Sequence, residues 1–148
     1  MEWTLEGRTM PRSAYPELST EGGELILCID DNQDVLECEK AFLESFGYTV
    51  LTARSGGMGL DLASIHAFDV VIVDYCMPGM NGQEVAIEIK RLRPRAPIIM
   101  LSAAVDVPAE ALQWVDAFVA KDHLASQLLP AIAQLHGGRL NAPPAYDA

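Results

Sequence analysis

The chain has 148 residues, half of them hydrophobic, which suits one domain with a single core. A formal net charge of −11 argues against nucleic acid as a direct partner, because phosphate backbones repel such a surface, and is compatible with proteins that carry basic patches. No apolar stretch reaches membrane-span length, the start lacks the basic and apolar regions of a secretory signal, and Cys28, Cys38 and Cys76 have no metal or redox spacing, which predicts reduced, buried thiols in a cytosolic protein.

Residues 1–23 are rich in Pro, Gly, Ser, Thr and Glu without an apolar period and are expected to form a flexible tail, as is the segment 137–148. Between them, residues 24–136 alternate strand and helix patterns. "ELILCI" reads as a strand. "NQDVLECEKAFLESF" sets Val35, Cys38, Phe42 and Phe46 on one helical stripe that Gly47 ends. "YTVLTA" is a second strand and "SGGMGLDLASIH" a weaker helix. "FDVVIV" is a third strand, followed by a helix over "GQEVAIEIKRL" with Val85, Ile89 and Leu92 at helical spacing. "PIIML" is a fourth strand, "PAEALQWV" a short helix with Pro108 in its first turn, and "DAFVA" a fifth strand. Leu128, Ile132 and Leu135 mark a last helix, which Pro130 should delay, with Ser126 as cap, or kink.

Five strands alternating with five helices predict an α/β fold with a doubly wound, five-stranded parallel sheet. Ligands on such sheets bind at the carboxyl ends of the strands, where strand order reverses. Those ends carry Asp30 and Asp31 after the first strand, Asp74 after the third, Ser102 after the fourth and Lys121 after the fifth. Three carboxylates brought together need a cation, and hard oxygen ligands in this number suit Mg²⁺. A hydroxyl and an ammonium opposite them complete a phosphoryl site, with Asp74 as nucleophile. Taken singly, each residue has a plainer role: Asp74 as a turn residue, Asp30 and Asp31 as helix caps, Ser102 as a turn former, Lys121 as a solvated charge. Their shared position at one end of successive strands is the stronger signal.

"ILCIDDNQD", "VIVDYCMPGMNG", "PIIMLSA" and "AFVAKD" together resemble the signature blocks of response-regulator receiver domains of two-component signalling. The resemblance runs from about Glu24 to His136 and implies the flavodoxin-like (βα)5 receiver fold. It implies that Asp74 accepts a phosphoryl group from a histidine kinase or phosphotransfer protein. Asp30, Asp31, Asp74 and the backbone carbonyl of Cys76 would hold Mg²⁺. Ser102 would be the switch hydroxyl, Lys121 the lysine beside the phosphoryl group, and Phe118 the aromatic whose rotamer reports phosphorylation to a downstream protein. That protein would read the face made by the fourth helix, fifth strand and fifth helix. The chain would catalyse only its own phosphorylation and slow dephosphorylation, in the cytoplasm, either as a stand-alone regulator resembling chemotaxis regulators or as part of a larger protein.

Three features depart from the family. Asp122 stands where proline usually follows the lysine, so the cis peptide of the family is not expected without cost. The segment between Ser102 and Asp116 is short, so the fourth helix should be stubby. Cys76 and Ala104 occupy positions that tune dephosphorylation and offer no carboxylate or amide to orient water, which predicts slow self-hydrolysis. Cys76 also falls where related aspartyl phosphohydrolases need a general acid, and the acidic loop after the first strand would repel a flavin phosphate without a metal. The remaining alternative is a pseudo-receiver that is never phosphorylated and serves only as a protein docking module.

Overall fold

In the computed structural model the described residues are 2–5, 8–11, 24–103 and 107–135. Two short strands, β1 (Glu2–Leu5) and β2 (Arg8–Pro11), pair antiparallel with Trp3 opposite Met10. The sequence reading assigned no element to this stretch. The remainder of residues 1–23 and all of 136–148 lie outside the described residues.

The body runs β3 (Leu25–Ile29), α1 (Gln33–Glu44), β4 (Thr49–Ala53), α2 (Gly56–Ile65), β5 (Val70–Asp74), α3 (Gly82–Leu92), β6 (Ile98–Ser102), α4 (Ala109–Leu112), β7 (Ala117–Ala120) and α5 (Leu124–Leu135). The five strands β3–β7 form one parallel sheet in the order β4-β3-β5-β6-β7. Two apolar layers seal it. Leu36, Leu43, Leu128 and Ile132 of α1 and α5 cover one face with Ile26, Cys28 and Ile72. Ala63, Val85 and Ile89 of α2 and α3 cover the other with Leu27, Ile29 and Val73. Double coverage explains why β5 and β6 are buried at every position and read as unbroken apolar runs.

Local chemistry fixes the helix starts. Asn32 caps α1 by accepting from the backbone N–H groups of Asp34 and Val35, which leaves Asp30 and Asp31 free of that task. Asn81 and Glu84 form a capping box on α3. Gly47, at φ 95°, turns the chain after α1, a conformation that favours glycine.

The structure departs from the sequence expectations in four places. In α1 the buried stripe is Leu36, Glu39 and Leu43, one step round from the expected stripe, and Cys38 is exposed. Cys76 is exposed as well, so among the three thiols only Cys28 is buried. Pro108 stands just before α4 as its cap residue and not inside the first turn. The last helix starts at Leu124, well ahead of Pro130, and the Ser126 hydroxyl donates to the His123 carbonyl instead of capping. Packing of Leu128, Leu129 and Ile132 against the sheet outweighs the backbone bond that Pro130 removes. The fourth helix is indeed a single turn of four residues.

One contact ties the fold to the strand ends. A Cβ on Gly82, the first residue of α3, would lie 2.7 Å from Tyr75 Cα and 2.5 Å from the Asp74 carbonyl oxygen. Because the obstacle is backbone, nothing can rotate away. Gly82→Val should cost about 1–3 kcal/mol in urea unfolding and shift the Asp74 backbone resonances. An unchanged unfolding midpoint would contradict the close approach.

Candidate functional site

Strand order reverses at β3, whose neighbours β4 and β5 follow it in opposite directions, and a crevice opens at the carboxyl ends there. Asp30 follows β3 directly, and Asp74 is the last residue of β5. One carboxylate oxygen from each of Asp30, Asp31 and Asp74 lies within 4.8 Å of the others. Asp30 and Asp74 are almost fully buried, at 1% and 4% exposure, while Asp31 is exposed. Lys121, just after β7, reaches across the sheet edge, with Nζ 2.8 Å from Asp30 Oδ2 and 3.2 Å from Asp74 Oδ1.

Asp30 Oδ1 accepts from the Asn32 N–H at 2.9 Å, which turns the chain into α1. Among the described residues, Asp30 Oδ2 is buried without a well-aligned hydrogen bond, and the Lys121 ammonium is its one ion-pair partner. One ammonium is thus shared between two buried carboxylates, with a third acid beside them. That imbalance, and an all-oxygen donor set, fit a small hard divalent cation such as Mg²⁺. Ser102 ends β6, next to β5 in the sheet, and is buried at 1% exposure. Phe118 on β7 points largely outward, 39% exposed, with Leu112 and Trp114 also exposed nearby in sequence. Ala104 lies outside the described residues.

Lys121 takes this position without the family's cis-proline. The described residues contain no cis peptide, and Lys121–His123 form one 3-10 turn leading into α5.

Burial first, and the Asp30 charge second, raise the Asp74 carboxyl against the opposing pull of Lys121, to about 6. Burial works against the Lys121 ammonium, yet hydrogen bonding and charge from Asp30 and Asp74 outweigh it, so Lys121 titrates above its ordinary value. Glu39 joins the neighbourhood of the site without any signal in its local sequence pattern. It is 1% exposed on α1, and burial together with the Asp30 charge pushes it up to about 7. Its hydrogen bond with the Cys28 thiol works the other way, and Oε2 has no hydrogen-bond partner among the described residues. An acidic residue on a mixed helix normally belongs to the solvated face, so the sequence held no usable signal for it.

The titrations have a sign. Asp74 and Glu39 hold protons more tightly folded than unfolded, so the folded chain binds more protons between their ordinary values and about 6 and about 7. Stability without metal therefore falls as pH rises through that interval. The urea midpoint in chelator should be lower at about pH 8 than at about pH 5, and Mg²⁺ should raise the value at about pH 8. A metal-free midpoint that is flat or rises with pH would contradict this assignment.

A five-stranded parallel sheet with a 2-1-3-4-5 strand order and this cluster of acids and lysine at its switch point defines a receiver-type α/β domain. The family described as the response regulator receiver domain matches residues 26–133, and the chain belongs to it. Among curated relatives, the transcriptional regulatory protein GlrR of Escherichia coli (strain K12) is 35% identical over 99 residues, covering 65% of this chain and 22% of that protein. Response regulator SaeR of Staphylococcus aureus (strain USA300) is 35% identical over 78 residues, covering 53% of this chain and 34% of that protein. The chain thus spans between about a fifth and a third of the length of these relatives.

Among solved structures, the response regulator TrrA of Thermotoga maritima, in complex with Mg²⁺ and BeF, superposes with a TM-score of 0.72 at 32% identity. The match covers 76% of this chain and 98% of that one. The receiver domain of a Pseudomonas aeruginosa PAO1 sensor histidine kinase, with magnesium coordinated in its active-site cleft, gives 0.72 at 28% identity over 78% and 98% of the two chains. The chain is therefore a receiver domain of two-component signalling. None of its described helices is long and apolar enough to cross a membrane.

Proposed function

We propose that this receiver accepts a phosphoryl group on Asp74 from a phosphohistidine of a histidine kinase or phosphotransfer protein and passes the signal to a protein partner in the cytoplasm. The observation that carries the reading is the convergence of Asp30, Asp31 and Asp74 within 4.8 Å, with Lys121 Nζ 3.2 Å from the acceptor carboxylate. An Asp74 carboxylate oxygen attacks phosphorus, the donor P–N bond breaks, and an acyl phosphate forms. Such a transfer needs positioning and charge neutralisation more than covalent help. With a carboxyl raised to about 6, Asp74 is mostly ionised at neutral pH and so able to attack. Lys121 sits where it can neutralise charge on the arriving phosphoryl oxygens. Asp30, Asp31, Asp74 and the Cys76 carbonyl would hold Mg²⁺, which supplies a further positive charge to the transferring group. The chain catalyses no reaction beyond this self-phosphorylation and its slow reversal by water.

The acyl phosphate adds roughly two negative charges at neutral pH. Ser102, buried beside Asp74, donates to the new oxygens and moves toward them. Phe118, exposed before phosphorylation, turns into the space that Ser102 leaves. The surface formed by α4, β7 and α5 then changes shape for its partner. TrrA was solved with Mg²⁺ and BeF, and a kinase receiver with magnesium in its cleft, which supports the same chemistry here.

Beryllofluoride with Mg²⁺, followed in nitrogen-15 amide spectra, tests acceptor and switch together. The amides of Asp74, Ser102 and Phe118 should shift. A spectrum unchanged at these residues would instead favour a docking module that is never phosphorylated.

A further inference from the structure

At the end of the sheet opposite Asp74, the connections α2–β5 and α3–β6 line a shallow, open cleft of about 440 Å³. It is separated from the phosphoacceptor by the length of β5, about 17 Å for five residues. Its apolar lining includes Phe68, Leu92, Pro94 and Ala96, and Arg93 and Arg95 also line it. Phe68 is buried at 8% exposure, but Leu92 is 47% exposed, and Ile65, two residues before the lining begins, is 69% exposed. These open apolar side chains beside a concave site give an apolar ligand group something to pack against.

The charge around the cleft is the second observation. Of ten Lys and Arg residues in a chain of net charge −11, four fall within Lys90–Arg95. Two have local explanations. Lys90 pairs with Asp116 at 2.9 Å and Arg91 with Glu88 at 2.8 Å, and both sit in the last turn of α3, where the helix dipole favours cations. Arg93 and Arg95 lie beyond that helix, and neither has an ion-pair partner among the described residues. Arg93 Nε donates to the Ala63 carbonyl at 3.2 Å, which fixes its guanidinium at the cleft and leaves its terminal nitrogens for a ligand. The site thus offers an open apolar groove beside two guanidinium groups without an ion-pair partner among the described residues, one of them held in place.

We propose that this cleft binds a short acidic peptide segment of a partner protein, with an aliphatic or aromatic side chain against Phe68 and Leu92 and flanking carboxylates on Arg93 and Arg95. The overall negative charge selects among anionic partners. An extended polyanion such as a membrane surface or nucleic acid would meet the acidic remainder of the chain, whereas a few peptide residues can stay within reach of Arg93 and Arg95, the nearby Asp69 carboxylate being occupied by the Leu25 N–H.

The test pans a displayed library of random peptides, about twelve residues long, against the wild-type chain and against Arg95→Glu. Arg95 is exposed, so that variant should keep the wild-type circular dichroism spectrum and melting curve. The proposal expects enriched peptides with Asp or Glu flanking Leu, Phe or Trp. The best of them should bind Arg95→Glu at least about tenfold more weakly, as it should Leu92→Ser, and should shift the amides of Phe68 and Leu92. No enrichment, enriched sequences without acidic residues, or equal binding to Arg95→Glu would overturn it. So would binding only to phosphatidylserine vesicles that Arg95→Glu abolishes. Because panning is done without phosphodonor or Mg²⁺, the result does not depend on whether Asp74 is phosphorylated.

Discussion

Asp74→Asn should abolish phosphorylation by acetyl phosphate while leaving a better-folded protein in the absence of metal. The amide keeps the shape of the carboxylate but has no ionised oxygen to attack phosphorus, so no acyl phosphate can form. It also removes a charge that is costly to bury. Asp74 is 4% exposed and shares the Lys121 ammonium with Asp30, and burial followed by the Asp30 charge is what raises its carboxyl. Without metal at neutral pH, the variant should therefore gain about 1 kcal/mol in urea unfolding. Mg²⁺ should stabilise the variant less than the wild type, because one of three carboxylates is gone. Loss of function with a gain in stability is the mark of a group held for its chemistry. Equal destabilisation with and without Mg²⁺ would instead identify Asp74 as a structural residue.

Lys121→Ala should have the opposite profile. It leaves Asp30 and Asp74 buried with no cation within ion-pair distance among the described residues. Removing one partner of a buried ion pair costs several kcal/mol; with Lys121 partly exposed, about 2–3 kcal/mol is expected for the metal-free chain at neutral pH. The loss should shrink as pH falls, since protonated carboxyls need no counter-charge, and should shrink again in saturating Mg²⁺. Phosphorylation should slow by about a hundredfold or more, because a fixed positive charge no longer faces the arriving phosphoryl oxygens. Lys121→Arg should recover stability better than rate, because a broad fork replaces a compact point charge. Unfolding and phosphorylation both near wild type would remove Lys121 from the account.

The sheet was legible because strands buried on both faces leave unbroken apolar runs, of which Val70–Val73 is the plainest. The helix over Gly82–Leu92 was readable from period and cap together. Resemblance pointed to Asp30, Asp31, Asp74, Ser102 and Lys121, and simple topology already put them at one sheet edge. Distances and burial could not be read that way. That one ammonium serves two carboxylates emerges only when β3, β5 and β7 are laid side by side.

Other features were hidden for definite reasons. The burial of Glu39 is invisible in the sequence because the apolar stripe of α1 lies one residue out of phase with the pattern of Val35, Cys38 and Phe42, and a glutamate gives no sign of burial. The start of the last helix at Leu124 is hidden because Pro130 carries a local cost that only the sheet packed under Leu128 and Ile132 offsets. Arg93 and Arg95 passed unnoticed since a basic run after a helix ordinarily serves its dipole. Only the cleft beside them gives those charges something to face.

The most direct test of the phosphoacceptor is intact-mass and fragment spectrometry of the wild-type chain after exposure to acetyl or carbamoyl phosphate, with Mg²⁺ or with a chelator. A single phosphoryl increment, present only with Mg²⁺ and mapping to Asp74, is expected. No increment under either condition, an increment that persists in chelator, or one located on another residue would contradict it.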